Sequence, residues 1–115
     1  MKIALSLFVA ACLAASLLQA QDSPTVEAQL KVFGNCGMCK TRIEKTVSVK
    51  EVKYAKWNKS TKMLTVAYLS GKITLDSLQQ RLAAVGHDTE RFKAPDSGYA
   101  ALPNCCLYRA SANTH

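Results

Sequence analysis

Residues 26–39, VEAQLKVFGNCGMC, decide how the rest of the chain is interpreted. The first half of this segment alternates apolar and polar residues, which predicts a half-buried β-strand with four inward side chains: Val26, Ala28, Leu30 and Val32. Two glycines and an asparagine follow, and they predict a loop. This loop carries Cys36 and Cys39 in a C-x-x-C spacing. The segment therefore predicts a strand that leads directly into a loop with a thiol pair.

The residues that follow predict a helix and two further strands. Cys39, Ile43 and Val47 recur at i, i+4 and i+8, the spacing of one helical face, so we expect a helix from residue 39 to about residue 50. Val52–Trp57 and Met63–Leu69 are apolar enough for strands, and a polar turn separates them.

A second helix and a weak strand complete the pattern. Thr74 suits the N-cap of this helix and Gly86 suits its end. The side chains expected on its buried face are Ile73, Leu75, Leu78, Leu82 and Val85. Residues 87–94 are polar enough for a fourth strand at the sheet edge.

The order β-α-β-β-α-β predicts the fold class. Few architectures accept this order with right-handed crossovers, and the ferredoxin-like sandwich is the commonest. We therefore expect an α+β fold, with a four-stranded antiparallel sheet and two helices on one face, over residues 26–94. Residues 21–25 form a short leader, and residues 95–115 form a C-terminal extension that Tyr99, Leu102, Leu107 and Tyr108 would hold against the domain.

The first twenty residues have the pattern of a secretory signal peptide. Lys2 precedes a long apolar stretch, and the sequence turns polar after Ala20, where we expect cleavage. An uncleaved anchor is less favoured because the apolar run is short for a membrane span. A lipid anchor at Cys12 is the third alternative. The expected location is the periplasm or the extracellular space, with membrane contact only if Cys12 is lipidated.

Four of the five cysteines lie beyond the signal peptide, and their spacing indicates more than structural disulfides. An even number of cysteines in an exported chain favours disulfides. The C-x-x-C pair, however, has a redox or soft-metal spacing, and a disulfide between the adjacent Cys105 and Cys106 would be strained. The start of a helix lowers the pKa of a thiol, and Lys40 acts in the same direction. Soft thiolates prefer Cu(I), Hg(II) and Zn(II) to hard cations.

Residues 26–94 resemble a heavy-metal-associated (HMA) domain, the module of copper chaperones, metal-pumping P-type ATPases and periplasmic mercury-binding proteins. The resemblance rests on the C-x-x-C after the first strand, on Val52-x-x-Ala55-x-Trp57, on Leu64-x-Val66-x-Tyr68 and on Gly86. It implies that Cys36 and Cys39 are the metal ligands, and that the ion passes to a partner by ligand exchange.

The sequence departs from this family at two positions near the predicted site. The family usually has methionine two residues before the first cysteine, where this chain has Gly34, while Met38 lies inside the motif. The family's bacterial copper chaperones often have tyrosine where this chain has His87. His87 is therefore a candidate third ligand, and the alternative is a partly exposed histidine that binds nothing.

The C-terminal cysteines have several candidate roles. Cys105 and Cys106 would add thiolates to the metal, resolve an oxidised Cys36–Cys39 pair, or tie the tail to the domain through a disulfide. The sequence does not choose among these three roles.

The predicted function is that of a soft-metal carrier or scavenger and not of an enzyme. Cu(I) is the expected ion, with Hg(II) or Zn(II) as alternatives, and a metal-transporting ATPase or another envelope metal transporter is the expected partner. Nucleic acid is excluded as a partner because the 15 basic residues, against 8 acidic ones, are spread over the chain. Two other functions remain: a thiol–disulfide oxidoreductase with Cys36 as nucleophile and Cys39 as resolving thiol, or a structural domain with two disulfides.

Overall fold

The computed structural model describes residues 23–109. The predicted signal peptide, Cys12 and the last six residues lie outside the described residues. The main elements, in chain order, are β1 (Thr25–Lys31), α1 (Gly37–Val47), β2 (Val52–Trp57), β3 (Met63–Leu69) and α2 (Leu75–Ala84). A short helix, α3 (Asp96–Ala100), and a 3₁₀ turn (Asn104–Cys106) follow. The order of the first five elements agrees with the ferredoxin-like prediction.

The described sheet is antiparallel, with the strand order β1-β3-β2. In its register, Val66 of the central strand lies opposite Ala28 on one side and Ala55 on the other. The alternation of β3 places Leu64 and Val66 on the buried face, where both are fully buried. Because β1 and β2 both run antiparallel to β3, their C-terminal ends lie at the same end of the sheet.

The fourth strand predicted for residues 87–94 is not part of the described sheet. This segment makes a single antiparallel bridge, between Val32 and Thr89. Its polar side chains bond locally instead: Thr89 Oγ1 accepts from the Phe92 N–H at 3.1 Å, and Asp88 Oδ1 accepts from the Ala94 N–H at 2.7 Å. These local hydrogen bonds compete with a strand ladder and turn the chain.

The second helix begins and ends where the sequence signals predict, whereas α1 runs from Gly37 to Val47 and not from residue 39 to about residue 50. Thr74 caps α2, because its side chain accepts a hydrogen bond from the Ser77 N–H at 3.1 Å. Gly86 lies just beyond the helix with φ of 106°, a conformation that favours glycine. Val26 and Val85, which we expected to face the core, are exposed, since they lie near the ends of their elements.

The C-terminal extension packs into the same core as the sheet and helices. The side chains that it contributes are buried: Leu102, Cys106 and Tyr108. Tyr108 Oη donates to the Gly86 carbonyl at 2.7 Å and accepts from the Asp88 N–H at 2.8 Å. The extension is thereby fixed to the end of α2. Within residues 23–109, no helix combines the length and the apolar character needed to span a membrane.

Candidate metal centre

The C-x-x-C pair lies at the start of α1. Cys36 has extended backbone immediately before the helix, and its carbonyl accepts the Lys40 N–H at 3.1 Å. Cys39 lies in the first helical turn and is fully buried, whereas Cys36 is partly exposed. The free N–H groups of a helix start favour negative charge on nearby sulfur. The loop therefore presents one accessible sulfur, that of Cys36, and one buried sulfur, that of Cys39, at a helix start that favours negative charge.

The 3₁₀ turn of the extension brings two more cysteines to the same place. Cys36 Sγ lies 2.8 Å from Cys105 Sγ, 3.3 Å from Cys106 Sγ and 3.5 Å from Cys39 Sγ. A disulfide joins Cys39 to Cys106, whose Cα atoms are 5.8 Å apart, while Cys36 and Cys105 are free thiols. The four cysteines of the described residues thus form one group, which we call the sulfur cluster.

Three members of the sulfur cluster have the spacing of a metal ligand set. The sulfurs of Cys36, Cys39 and Cys106 all lie within 4.8 Å of one another. A metal–thiolate bond is about 2.3 Å long, so two tetrahedral thiolate ligands lie about 3.8 Å apart. The cluster needs only small adjustments to surround a single ion. Because a disulfide sulfur is not a thiolate, these three residues form a ligand set after the disulfide has been reduced.

The cluster is electrostatically favourable to a thiolate at Cys36. Desolvation opposes ionisation of Cys36, but the hydrogen bond with Cys105, the N–H groups of Cys39 and Met38 and the charge of Arg42 outweigh it and lower the pKa of the Cys36 thiol. The same hydrogen bond raises the pKa of Cys105. Of the two free thiols, Cys36 is thus the one that ionises more readily.

Trp57 packs against the loop that carries the C-x-x-C pair. Its indole Nε1 donates to the Val32 carbonyl at 2.9 Å, at the point where β1 ends and the loop begins. A Cβ at Gly34 would lie 3.0 Å from Cys39 Cβ and 3.1 Å from Trp57 Cη2. The indole therefore fills the space beside Gly34, where the family resemblance led us to expect a methionine. Trp57 ends a strand predicted from the sequence, but no pattern in the sequence connects it with the missing methionine.

His87 lies outside the ligand set formed by Cys36, Cys39 and Cys106. Its ring is fully buried, which contradicts the expectation of a partly exposed side chain, and Nδ1 lies 2.7 Å from the Phe33 carbonyl. Burial lowers the pKa of His87, so the ring is neutral at physiological pH. Nε2 is buried and has no hydrogen-bond partner among the described residues. The structure shows His87 in contact with the start of the loop, and its predicted role as a ligand stays a prediction.

Met38 adds a fifth sulfur at the exposed side of the cluster. Its side chain is 54% exposed, and its Sδ lies 3.6 Å from Cys105 Sγ. The sequence places Met38 inside the C-x-x-C motif, but no pattern in it predicts this contact with a cysteine 67 positions away.

The fold and the sulfur cluster together define a small ferredoxin-like domain of the metal-binding type. Neither a protein-family model nor a curated protein matches the sequence. Solved structures do match. A ZiaAN mutant, solved by NMR, is 30% identical over 63% of this chain and all of its own length, with a TM-score of 0.51. A copper form of CopA from Bacillus subtilis is 26% identical over 58% of this chain and 91% of its own length, with a TM-score of 0.50.

Oxidized MerP from Ralstonia metallidurans CH34 shares the fold at 22% identity, over 58% of this chain and 96% of its own length, with a TM-score of 0.55. The matches cover almost the full length of the three proteins, so the likeness extends over the whole domain and is not limited to the cysteine loop. The chain is an HMA-like protein, as the sequence resemblance predicted.

Proposed function

We propose that the reduced chain binds one soft metal ion, Cu(I) first and Hg(II) or Zn(II) second, through Cys36 and Cys39, with Cys106 as a third ligand. The observation that carries this proposal is the mutual approach of the three sulfurs within 4.8 Å. Thiolates prefer soft ions, and the spacing suits ligands of a single ion. The copper form of CopA, at 26% identity, supports copper as the first choice.

The exposure of the ligands favours a carrier over a permanent structural site. Cys39 and Cys106 are fully buried and would hold the ion on the side that faces the core, whereas Cys36 is partly exposed. An incoming thiolate of a partner can approach the ion from the side of Cys36 and replace one ligand at a time. A closed site with four buried ligands would resist this exchange. In this proposal the protein acts as a binding module that carries the ion.

The proposal includes export and an acceptor. Residues 1–20 carry the chain to the periplasm or the extracellular space, and the ion passes to a metal-transporting ATPase or another envelope metal transporter. The supporting observation is that a region of CopA, a P-type ATPase of Bacillus subtilis, shares this fold at 25% identity and a TM-score of 0.54. Two domains of the same fold can present their cysteine loops to each other.

An anaerobic titration of the reduced protein with Cu(I), in competition with a chelator, tests the proposal. We expect one ion per chain, and a loss of affinity of about 100-fold or more, which is about 2.7 kcal/mol, in Cys36→Ser and Cys39→Ser. The matched control is Cys105→Ser, because Cys105 is outside the group of three sulfurs and its loss should have a smaller effect. Unchanged affinity in the Cys36→Ser, Cys39→Ser double variant would show that the site is elsewhere.

One observation favours thiol–disulfide exchange as a second candidate function. The free thiol of Cys36 lies 3.3 Å from Cys106 Sγ, which belongs to the disulfide with Cys39. Attack by the Cys36 thiolate on this sulfur would form a Cys36–Cys106 bond and release Cys39 as a thiolate. Reduction of a model disulfide substrate by the reduced chain, abolished in Cys36→Ser, would support this function.

The disulfide also bears on the structural alternative. It connects the loop to the extension across 67 positions of sequence, and the two other described cysteines are free. The described residues thus contain one disulfide and not the two that the purely structural hypothesis expected. A purely structural role does not require the two free thiols, Cys36 and Cys105, that lie beside this disulfide.

A further inference from the structure

The disulfide form of the protein retains three sulfurs that the disulfide does not use. Cys39 and Cys106 are removed from the ligand set as long as they are joined. Cys36 Sγ and Cys105 Sγ remain as free thiols 2.8 Å apart, and Met38 Sδ lies 3.6 Å from Cys105 Sγ. We propose that these three sulfurs form a second soft-metal site, the outer site, which binds an ion while the Cys39–Cys106 disulfide is intact.

The spacing of the outer site fits one ion after a small opening. Sulfur ligands at about 2.3 Å from a tetrahedral ion are separated by about 3.8 Å. The separation between Cys105 and Met38 already has nearly this value. The two free thiols must move apart by about 1 Å to reach it. Cys105 is exposed and lies in a short 3₁₀ turn, so this movement does not disturb the core.

The outer site is accessible from solvent, unlike Cys39 and Cys106. Cys105 and Met38 are exposed, and Cys36 is partly exposed. Cys39 and Cys106 are fully buried beneath them. An ion from solution therefore reaches the outer sulfurs without local unfolding.

The donor set selects the class of ion. Two thiolates and one neutral thioether are soft ligands, which favour Cu(I), Ag(I) and Hg(II) over Mg(II) or Ca(II). When the ion binds, each of the two thiols loses one proton to solvent and no electron is transferred. The Arg42 guanidinium, whose Nη1 lies 3.6 Å from Cys106 Sγ, partly balances the negative charge of a bis-thiolate complex with a monovalent ion.

Cys36 would belong to both sites, which gives the outer site a use. Once a partner dithiol has reduced the disulfide and has itself become a disulfide, an ion held by Cys36 and Cys105 exchanges Cys105 and Met38 for Cys39 and Cys106 without leaving Cys36. The outer site would then be the entry point for the ion, and binding would continue when exchange with a partner disulfide has joined Cys39 to Cys106 again. This inference rests on the proposed function for the class of ion, and it assigns new residues to the binding.

The test is a titration of the full chain, purified without reductant, with Ag(I) under anaerobic conditions. Intact-mass analysis first verifies one disulfide and two free thiols. We expect native mass spectrometry to show one Ag(I) per chain with the disulfide retained. Affinity should fall by about 100-fold in Cys105→Ser and by about 3- to 10-fold in Met38→Leu. Met63→Leu is the matched control, since Met63 lies on β3, outside the sulfur cluster, and should bind as the unmodified protein does.

Several outcomes would overturn the inference, and they can be told apart. If the reduced protein binds Ag(I) but the disulfide form does not, the outer site is absent and the proposed function stands. If the oxidised Cys105→Ser variant binds as tightly as the unmodified chain, other donors hold the ion. If binding occurs only with loss of the disulfide, the inner ligands are responsible. If neither form binds Ag(I) or Cu(I), the proposed function fails together with the outer site.

Discussion

At the scale of single residues, Gly34 and Trp57 act as a pair beside the thiol loop. The indole occupies the space next to Gly34, and its Nε1 fixes the Val32 carbonyl at the start of the loop. Any side chain at position 34 would have to displace either this ring or Cys39. The small residue and the large one therefore depend on each other, and together they set the position of the buried thiol.

We predict that Gly34→Ala destabilises the metal-free, reduced protein by about 1–3 kcal/mol, the usual cost of inserting a methyl group into a packed site. The added Cβ would lie 3.0 Å from Cys39 Cβ and 3.1 Å from the indole. Urea denaturation followed by Trp57 fluorescence measures the change. The matched control is Gly37→Ala, because a Cβ at Gly37 meets no atom within 4 Å. Equal stability of the two variants would contradict the packing argument.

The grouping of the cysteines was predictable from sequence where they are neighbours in the chain, and less so where the grouping depends on tertiary contacts. Cys36 and Cys39 share one loop, so their spacing alone indicates that they can face a common ion. The approach of Cys105 and Cys106 to this loop was one of several sequence-based alternatives, since nothing in a pattern reports contacts across 67 positions. The burial of His87 was missed because a polar residue after a helix is usually exposed.

At the scale of elements, the sequence predicted those parts whose periodicity is strong. The strands Val52–Trp57 and Met63–Leu69 occur with the predicted bounds, and Thr74 and Gly86 flank α2 as expected. The segment 87–94 was predicted as a strand on weaker grounds. Asp88 and Thr89 bond to backbone groups a few residues ahead, and these contacts stabilise a turn instead.

The C-terminal extension is held in place by an ion pair as well as by its buried side chains. Arg109 donates from Nη2 to Asp88 Oδ1 at 2.8 Å and from Nε to Asp88 Oδ2 at 3.1 Å, a two-point contact. Partial burial of Asp88 opposes its ionisation, but Arg109 and the Ala94 N–H outweigh this effect and lower the pKa of Asp88. The ion pair thus connects the end of the extension to the segment after α2.

We predict that stability decreases in acid partly because this ion pair is lost. The pKa of Asp88 is lower in the folded state than its usual value of 3.8, so the ionised carboxylate stabilises the fold above that pH. Its contribution disappears as the pH falls through the folded-state pKa. Asp88→Asn should lower stability at pH 7 by about 1–3 kcal/mol. The difference in Tm between this variant and the unmodified chain should shrink below about pH 4.

Thermal denaturation between pH 7 and pH 3 checks this prediction. Asp96→Asn is the control, since the Asp96 side chain is 91% exposed and also contacts Arg109, at 3.2 Å. An exposed ion pair contributes little to stability, so this variant should differ from the unmodified chain by less than about 1 kcal/mol. A difference in Tm between Asp88→Asn and the unmodified chain that stays constant down to pH 3 would exclude Asp88 as the source of the acid sensitivity.

At the scale of the whole molecule, the sulfurs of Cys39 and Cys106 link the extension to the domain by a disulfide, and under the proposed function a shared metal ion would replace that link. The Cys39–Cys106 disulfide closes a loop with a sequence separation of 67. In the chain-entropy model such a loop corresponds to about 4 kcal/mol of stabilisation. Under the proposed function, a metal ion bound by the same residues after reduction would stabilise the folded state by about 4 kcal/mol when the free ion is at 1,000 times its Kd. The two states of the cluster are therefore comparable in stabilising effect.

This comparison predicts a specific order of thermal stabilities for the full chain. The disulfide form and the reduced, Cu(I)-loaded form should melt at similar temperatures, and the reduced, metal-free form should melt well below both, because it lacks any covalent or metal link between loop and extension. Differential scanning calorimetry of the three forms, with anaerobic handling of the reduced samples, measures the order.

In Cys106→Ala the disulfide cannot form with Cys39, so reductant should leave Tm almost unchanged, and Cu(I) should raise Tm less than in the unmodified reduced chain. If Cu(I) raises the Tm of Cys106→Ala as much as that of the unmodified chain, Cys106 is not a ligand and the ion does not replace the disulfide as the link between the extension and the domain.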